Sequence, residues 1–329
     1  WCCFIGHPNV LVRESAIDAQ NTDPEDDIRI SLKAARDTNS DKKNSGRQVA
    51  EFICSESESS FQERFDAVMV YLDSLAKPVG SLGTLENWAS KLAALQRTLQ
   101  PSVDPVACLI FAADHGIAKD PSEGGEKCSS YPQAVTRSVL QGLEHGIAGA
   151  SVLAKRNHVS LRVVDVGVCC EPFQGDVVVS SPLKIQGGTR NFCVGPAMTT
   201  VEVERCIRLG REELSQYICD TNAMVVVLGE VGIGNTTASS ALIAQLTDFS
   251  VESVCGGGAM TGREVDQASI AKKISIVKKA IMLHGSSIQG AMDALERLGG
   301  AEIAALVGAI LEASERNLAI LVDGFIVTT

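Results

Sequence analysis

Four short apolar runs in this chain end alike, each in an acidic residue close to a glycine. Ala107 to Ala113 leads into Asp114-His115-Gly116, and Leu161 to Val164 into Asp165-Val166-Gly167. Met224 to Leu228 leads into Gly229-Glu230, and Leu318 to Val322 into Asp323-Gly324. Longer Ala/Leu-rich segments separate the runs, which is the rhythm of a parallel sheet with helical crossovers. In such a sheet the carboxyl ends of the strands share one edge, and ligands bind along it. The pattern therefore predicts an α/β chain with four acids gathered at one rim. Any one of these acids is equally well read as a helix cap. Together, beside glycines that let backbone approach a ligand, they point to a site.

Composition narrows the classes of function. The 329 residues are enough for one large domain or two modest ones. Lys plus Arg number 29 against 40 Asp plus Glu, a net charge of −11, so a nucleic-acid or anionic-membrane surface would work against the overall field. No apolar run approaches the roughly 20 residues that cross a bilayer, and a soluble protein is expected. The 11 Cys form no C-x-x-C or Cys/His metal spacing, and Cys2/Cys3 and Cys169/Cys170 are adjacent pairs. Adjacent cysteines are poor disulfide partners, so free thiols in a reducing compartment are expected, with no metal site. The cytoplasm fits, and an organelle fits as well.

The chain begins at Trp1, as a processed protein or a fragment would. From Arg13 to Ser60 it is polar and acid-rich, which predicts a mobile extension over residues 1–60. Residues 61–104 carry helices outside the main sheet, with Phe65, Val68, Tyr71 and Leu72 at helical spacing before Lys77-Pro78. Leu85 to Leu99 reads as a second amphipathic helix with Thr84 as its cap. Residues 105–329 form the α/β core.

The most informative stretch is Gly229-Glu230-Val231-Gly232-Ile233-Gly234-Asn235-Thr236-Thr237, between the Met224 to Leu228 strand and an Ala238 to Leu246 helix. A strand, a glycine turn and a helix N-terminus present unpaired N–H groups to an anion. Against G-x-x-x-x-G-K-[ST], Asn235 stands where the lysine belongs, which disfavours triphosphate hydrolysis. Against the dinucleotide fingerprint, Thr237 stands where the third glycine belongs. What remains suits a single phosphate. A second turn, Cys255 to Gly262, leads into a helix with Lys272 and Lys273, one of which is within reach of that phosphate unless it is simply solvated. A third turn, Gln186 to Asn191, joins the same rim. His115 is an acid or base candidate, or a histidine bonded to backbone. Ser239 and Ser240 lack a nucleophile elbow, and no cysteine sits in a nucleophile signature.

Several longer motifs recur in fixed order: Lys77 to Glu86, Ala113 to Ile117, Tyr131-Pro132, Val164 to Val168, Gly195 to Thr199, Gly229 to Thr237, Gly299 to Ala304 and Val322 to Phe325. In that order they closely resemble the nicotinate-nucleotide:dimethylbenzimidazole phosphoribosyltransferases, which make the lower-ligand nucleotide of cobamides. The resemblance runs from about Phe61 to the last residue. It implies a Rossmann-like parallel sheet flanked by helices, a small helical domain incomplete at its C-terminal end, and a homodimer. It also implies phosphoribosyl transfer from nicotinate mononucleotide to 5,6-dimethylbenzimidazole, without cofactor or metal. Glu230, and after it Asp323, would support the developing charge. Gly232, Gly234, Asn235, Thr236, Gly257, Gly262 and Lys273 would hold the nucleotide phosphate, and Tyr131 would line the base pocket, although a packing role suits Tyr131 equally.

The Gly256 to Gly262 turn departs from the family's G-x-G-T-G pattern. The chain also ends at Thr329, before the Gly-Glu-Gly segment that carries the family's general base, so a partial sequence is expected. The alternative is a poorly active homologue that binds the nucleotide or a benzimidazole. A nicotinamide-dependent oxidoreductase rests on fold analogy alone.

Overall fold

A computed structural model of the chain describes residues 10–12, 42–54, 59–256 and 267–329. The chain divides into two compact units, one of residues 1–104 with 317–319 and one of residues 105–316 with 320–329.

The first unit holds strand β1 (Val10–Val12) and helices α1 (Lys42–Cys54), α2 (Phe61–Ser74) and α3 (Thr84–Gln96). Helix α1 falls inside the stretch expected to be a mobile extension. Its Val49 and Ile53, four residues apart, meet Ala67 and Val68 of α2 and Ala93 of α3 in one small core. One apolar stripe is enough to fold a helix against neighbours, and the polar residues around it hide that stripe in composition. A capping box starts α2, where Ser60 Oγ accepts from Glu63 N–H and Glu63 accepts from Ser60 N–H. Helix α3 corrects the expected boundaries. Thr84 is its first residue rather than its cap, Gly83 holds the cap position at φ 55°, and Arg97 ends the helix in a left-handed conformation.

β2 (Val106–Ala113), β3 (Ser160–Gly167), β4 (Val178–Ser180) and β5 (Val225–Val231) belong to the second unit, as do residues 320–322 of β6 (Ala319–Val322), and these strands run in the order β6-β5-β2-β3-β4. β2 pairs parallel with both β3 and β5, and β3 with β4. Leu109, Phe111, Val163, Val164 and Val226 are fully buried, as strands covered on both faces require. The covering helices include α4 (Val135–Glu144), α5 (Gly149–Arg156), α6 (Thr200–Thr221) and α7 (Asn235–Leu246). After α8 (Val251–Val254) come α9 (Gln267–His284), α10 (Ala291–Leu298) and α11 (Ala301–Glu315). Helices α6 and α11 touch backbone to backbone. A Cβ on Gly210 or on Gly308 would lie 1.9 Å from the carbonyl oxygen of Ala305 or Ile207, so only glycine fits there.

β5 continues past the expected end at Leu228 and carries Glu230 opposite Phe111 of β2. From β2 the chain builds outward through β3 and β4, then returns to β5 on the other side of β2. The carboxyl ends of β2 and β5 therefore flank the point where the winding reverses, where open α/β sheets form their crevice.

Candidate functional site

β5 opens into Gly232-Ile233-Gly234 and then directly into α7, whose first residues are Asn235 and Thr236. Gly234 adopts φ 106°, a region that a side chain disfavours. A Cβ on Gly232 would sit 2.4 Å from the Ala113 carbonyl oxygen, so the turn lies directly against the end of β2. Ile233 N–H donates to Thr136 Oγ1 at 3.1 Å, and the Asn235 side-chain amide donates to the Glu230 carboxylate. No side chain caps α7, which leaves its N-terminal dipole available to an anion.

Lys273 of α9 is 7% exposed, which removes the solvated reading of this lysine. Its ammonium donates to Thr236 Oγ1 at 3.1 Å and to the Gly256 carbonyl at 3.0 Å, beside the first turn of α7. Burial pulls its pKa below the usual lysine value. Gly232, Gly234, Asn235, Thr236, Lys273 and Glu230 thus share one locale. Gly257 and Gly262, also expected to hold phosphate, lie outside the described residues.

Burial and the charge of Glu302 push the Glu230 carboxyl up to about 7, against the bond from Asn235 and the attraction of His115. A carboxyl in this range changes charge near neutral pH, as acids and bases in enzyme sites do. His115, at the end of β2, is fully buried, and its Nε2 lies 2.6 Å from Oε1 of the equally buried Glu302 in α11. Burial opposes charge on His115, but the charge and hydrogen bond of Glu302 prevail and raise its pKa. Asp114 is also raised by burial, while its Oδ2 accepts from Cys169 N–H at 2.8 Å.

The rim acids do not act alike. Asp165 accepts from the backbone N–H of Gly167 and Val168 and pairs with buried Lys184 at 2.7 Å. Its hydrogen bonds are spent on holding the end of β3, which makes it a brace rather than a ligand group. Asp323 follows β6 and is exposed. Tyr131 is 37% exposed in a loop where its N–H donates to Ser129 Oγ, and neighbouring Gln133 donates to the His115 carbonyl. The Gln186 to Asn191 turn lines a cleft of about 570 Å³ together with Gly116, Lys119 and Arg205. Sequence reasoning gave Glu302 no role. The signal available was the Gly299-Gly300-Ala301-Glu302 motif, which places an acid in the first turn of a helix after two glycines. Among the described residues no group of acids, histidines and cysteines is arranged to hold a metal ion.

A parallel α/β sheet that gathers a glycine turn, a buried lysine and a raised carboxyl at its switch point is the framework of an enzyme acting on a sugar phosphate. The chain belongs to the phosphoribosyltransferase family, whose family model matches residues 59–329. It is similar to the nicotinate-nucleotide–dimethylbenzimidazole phosphoribosyltransferase of Pseudomonas fluorescens (strain SBW25), with 38% identity over 266 residues that cover 81% of this chain and 72% of that protein. The protein of the same name from Halalkalibacterium halodurans is 36% identical over 258 residues, covering 78% and 68%. A crystal structure of the enzyme so named from Thermus thermophilus superposes with a TM-score of 0.71 at 34% identity, over 80% of this chain and 74% of that one. No helix among the described residues is long and apolar enough to cross a membrane.

Proposed function

We propose that this protein transfers the phosphoribosyl group of nicotinate mononucleotide to 5,6-dimethylbenzimidazole, giving α-ribazole 5′-phosphate and nicotinate. The observation that carries the reading is Lys273 bonded to Thr236 at the start of α7, within the same turn-and-strand segment as the half-buried Glu230. The phosphate rests on the Gly232 to Thr236 segment, where helix dipole and ammonium act together. The bond from C1 of the ribose to the pyridinium nitrogen breaks, and its electron pair neutralises the ring. That leaving group needs no metal. Positive charge develops at C1, and the Glu230 carboxylate, in its ionised form, stabilises it. The unprotonated ring nitrogen of the azole then bonds to C1 through its lone pair, and the proton on the other ring nitrogen passes to a base.

Incubation of the protein with nicotinate mononucleotide and dimethylbenzimidazole should yield α-ribazole 5′-phosphate by chromatography; its absence rejects the reading. Lys273→Ala should raise the nucleotide KM about 10- to 100-fold, the value of one charge-assisted phosphate contact, with kcat little changed. An unchanged KM would remove Lys273 from the phosphate.

The protein is further read as a homodimer. Exposed Ile147, Val152 and Leu153, at and just before α5, support this, and light scattering of the purified protein tests it. The cysteines among the described residues are free, which fits a reducing compartment such as the cytoplasm.

A further inference from the structure

We infer that the buried pair His115 and Glu302 is a positioning pair for the phosphoribosyl site, acting through Glu230 and the Gly232 to Gly234 turn. The inference rests on the reading above, because Glu230 is taken to face the sugar.

The two side chains come from sequence positions 187 residues apart and meet under the turn. Each also keeps a buried polar atom without a partner, Nδ1 of His115 and Oε2 of Glu302. A buried ion pair usually adds no more stability than well-packed apolar side chains of the same size. Its contribution is therefore to be sought in what it touches, and it touches the turn. A Cβ on Gly232 would lie 3.5 Å from Glu302 Oε1, and one on Gly234 would lie 3.1 Å from the His115 Cβ. A Cβ on Gly300 would come within 2.5 Å of the imidazole Cε1. Glycine at these positions lets the turn and the start of α11 close down on the pair.

The titratable groups facing the pair are Asp114 from the end of β2, Glu230 from β5 and the Cys206 thiol from α6. The charges of Asp114, Glu230 and Glu302 all act on one imidazole, which only Glu302 hydrogen-bonds. The two members act on Glu230 in opposite senses, Glu302 raising its pKa and His115 lowering it. Removal of either member unbalances these two effects, and the two removals do so in opposite directions.

The test is to titrate the Glu230 carboxyl by NMR in glutamate-labelled protein, assigning its resonance as the one lost in Glu230→Gln. In His115→Gln the uncompensated Glu302 charge should raise the Glu230 midpoint by about half a unit or more. In Glu302→Gln the repulsion is gone and the midpoint should fall. The acid limb of the kcat–pH profile should follow each shift. A merely structural pair would lose stability in both variants and leave the midpoint in place. Midpoints that stay fixed, or that move the same way in both variants, overturn the inference. If a variant fails to fold, nitrogen NMR of the histidines in the unsubstituted protein decides. His115 should remain doubly protonated at neutral pH, and a neutral tautomer there overturns the inference. Midpoints that shift as expected in a protein forming no α-ribazole 5′-phosphate would reject the transfer reading and leave the pair standing.

Discussion

Glu230→Gln is expected to lower kcat for phosphoribosyl transfer by about 10²- to 10³-fold, the loss typical when a preorganised electrostatic group is removed. Affinity for nicotinate mononucleotide should change little, because the amide keeps the shape and the charge at C1 develops only during reaction. The same substitution should stabilise the protein at high pH. Burial and Glu302 lift the folded-state pKa of Glu230 from 4.5 to about 7. A raised carboxyl contributes stability that is fully present below its unfolded pKa and is lost as pH rises through the folded value. At pH 8 the protein therefore holds a partly desolvated carboxylate that Gln does not have. The variant should gain up to about 3 kcal/mol there, and far less at pH 5. Thermal melts at the two pH values measure this. Equal losses of kcat and affinity, or a Tm gap independent of pH, would take Glu230 out of this role. A site residue whose removal stabilises the fold is the usual sign of strain held for function.

The sheet was legible in the sequence because β-branched runs separated by helical segments leave few alternatives to a parallel α/β arrangement. The end of β5 was not. Gly229 reads as the start of a turn, yet it lies in the strand, where a Cβ would press within 3.2 Å of Ile110 Cγ1. The glycine there serves close packing rather than a bend, and that places Glu230 in the sheet. Lys273 and Lys272 are equivalent as a sequence pair. Only the helix phase separates them, burying Lys273 beside Thr236 and leaving Lys272 exposed. Glu302 escaped notice because an acid in the first turn of a helix is fully explained by the dipole. Its partner His115 lies on the far side of the chain order, and no local pattern joins them. Asp165 shows the converse: in sequence a strand-end acid looks the same whether it faces a ligand or a buried lysine.

That buried lysine gives the second large effect. Lys184→Met is expected to destabilise the protein by about 3–5 kcal/mol, since it leaves the Asp165 carboxylate buried without its cation. The Lys184 ammonium donates to Asp165 at 2.7 Å, to the Val168 carbonyl at 3.0 Å and to the Cys170 carbonyl at 3.2 Å, so three acceptors lose their donor at once. Against a usual folding stability of about 5–15 kcal/mol this is a large share, and Tm should drop by about 10 °C or more. Adding Asp165→Asn to Lys184→Met should recover part of the loss, because the uncompensated charge is gone; strictly additive losses would show that the pair is no brace. The damage should also reach the rim. Gly167 of β3 accepts from Asp114 N–H at 3.1 Å, and the Asp114 carbonyl accepts from Thr189 N–H at 3.0 Å, which links the braced end of β3 to the segment before His115. At temperatures where the variant stays folded, nucleotide affinity should persist, because the Gly232 to Thr236 segment and Lys273 belong to β5, α7 and α9 rather than to β3. Turnover should fall with the loosened end of β2, and loss of affinity ahead of turnover would place the brace under the phosphate instead.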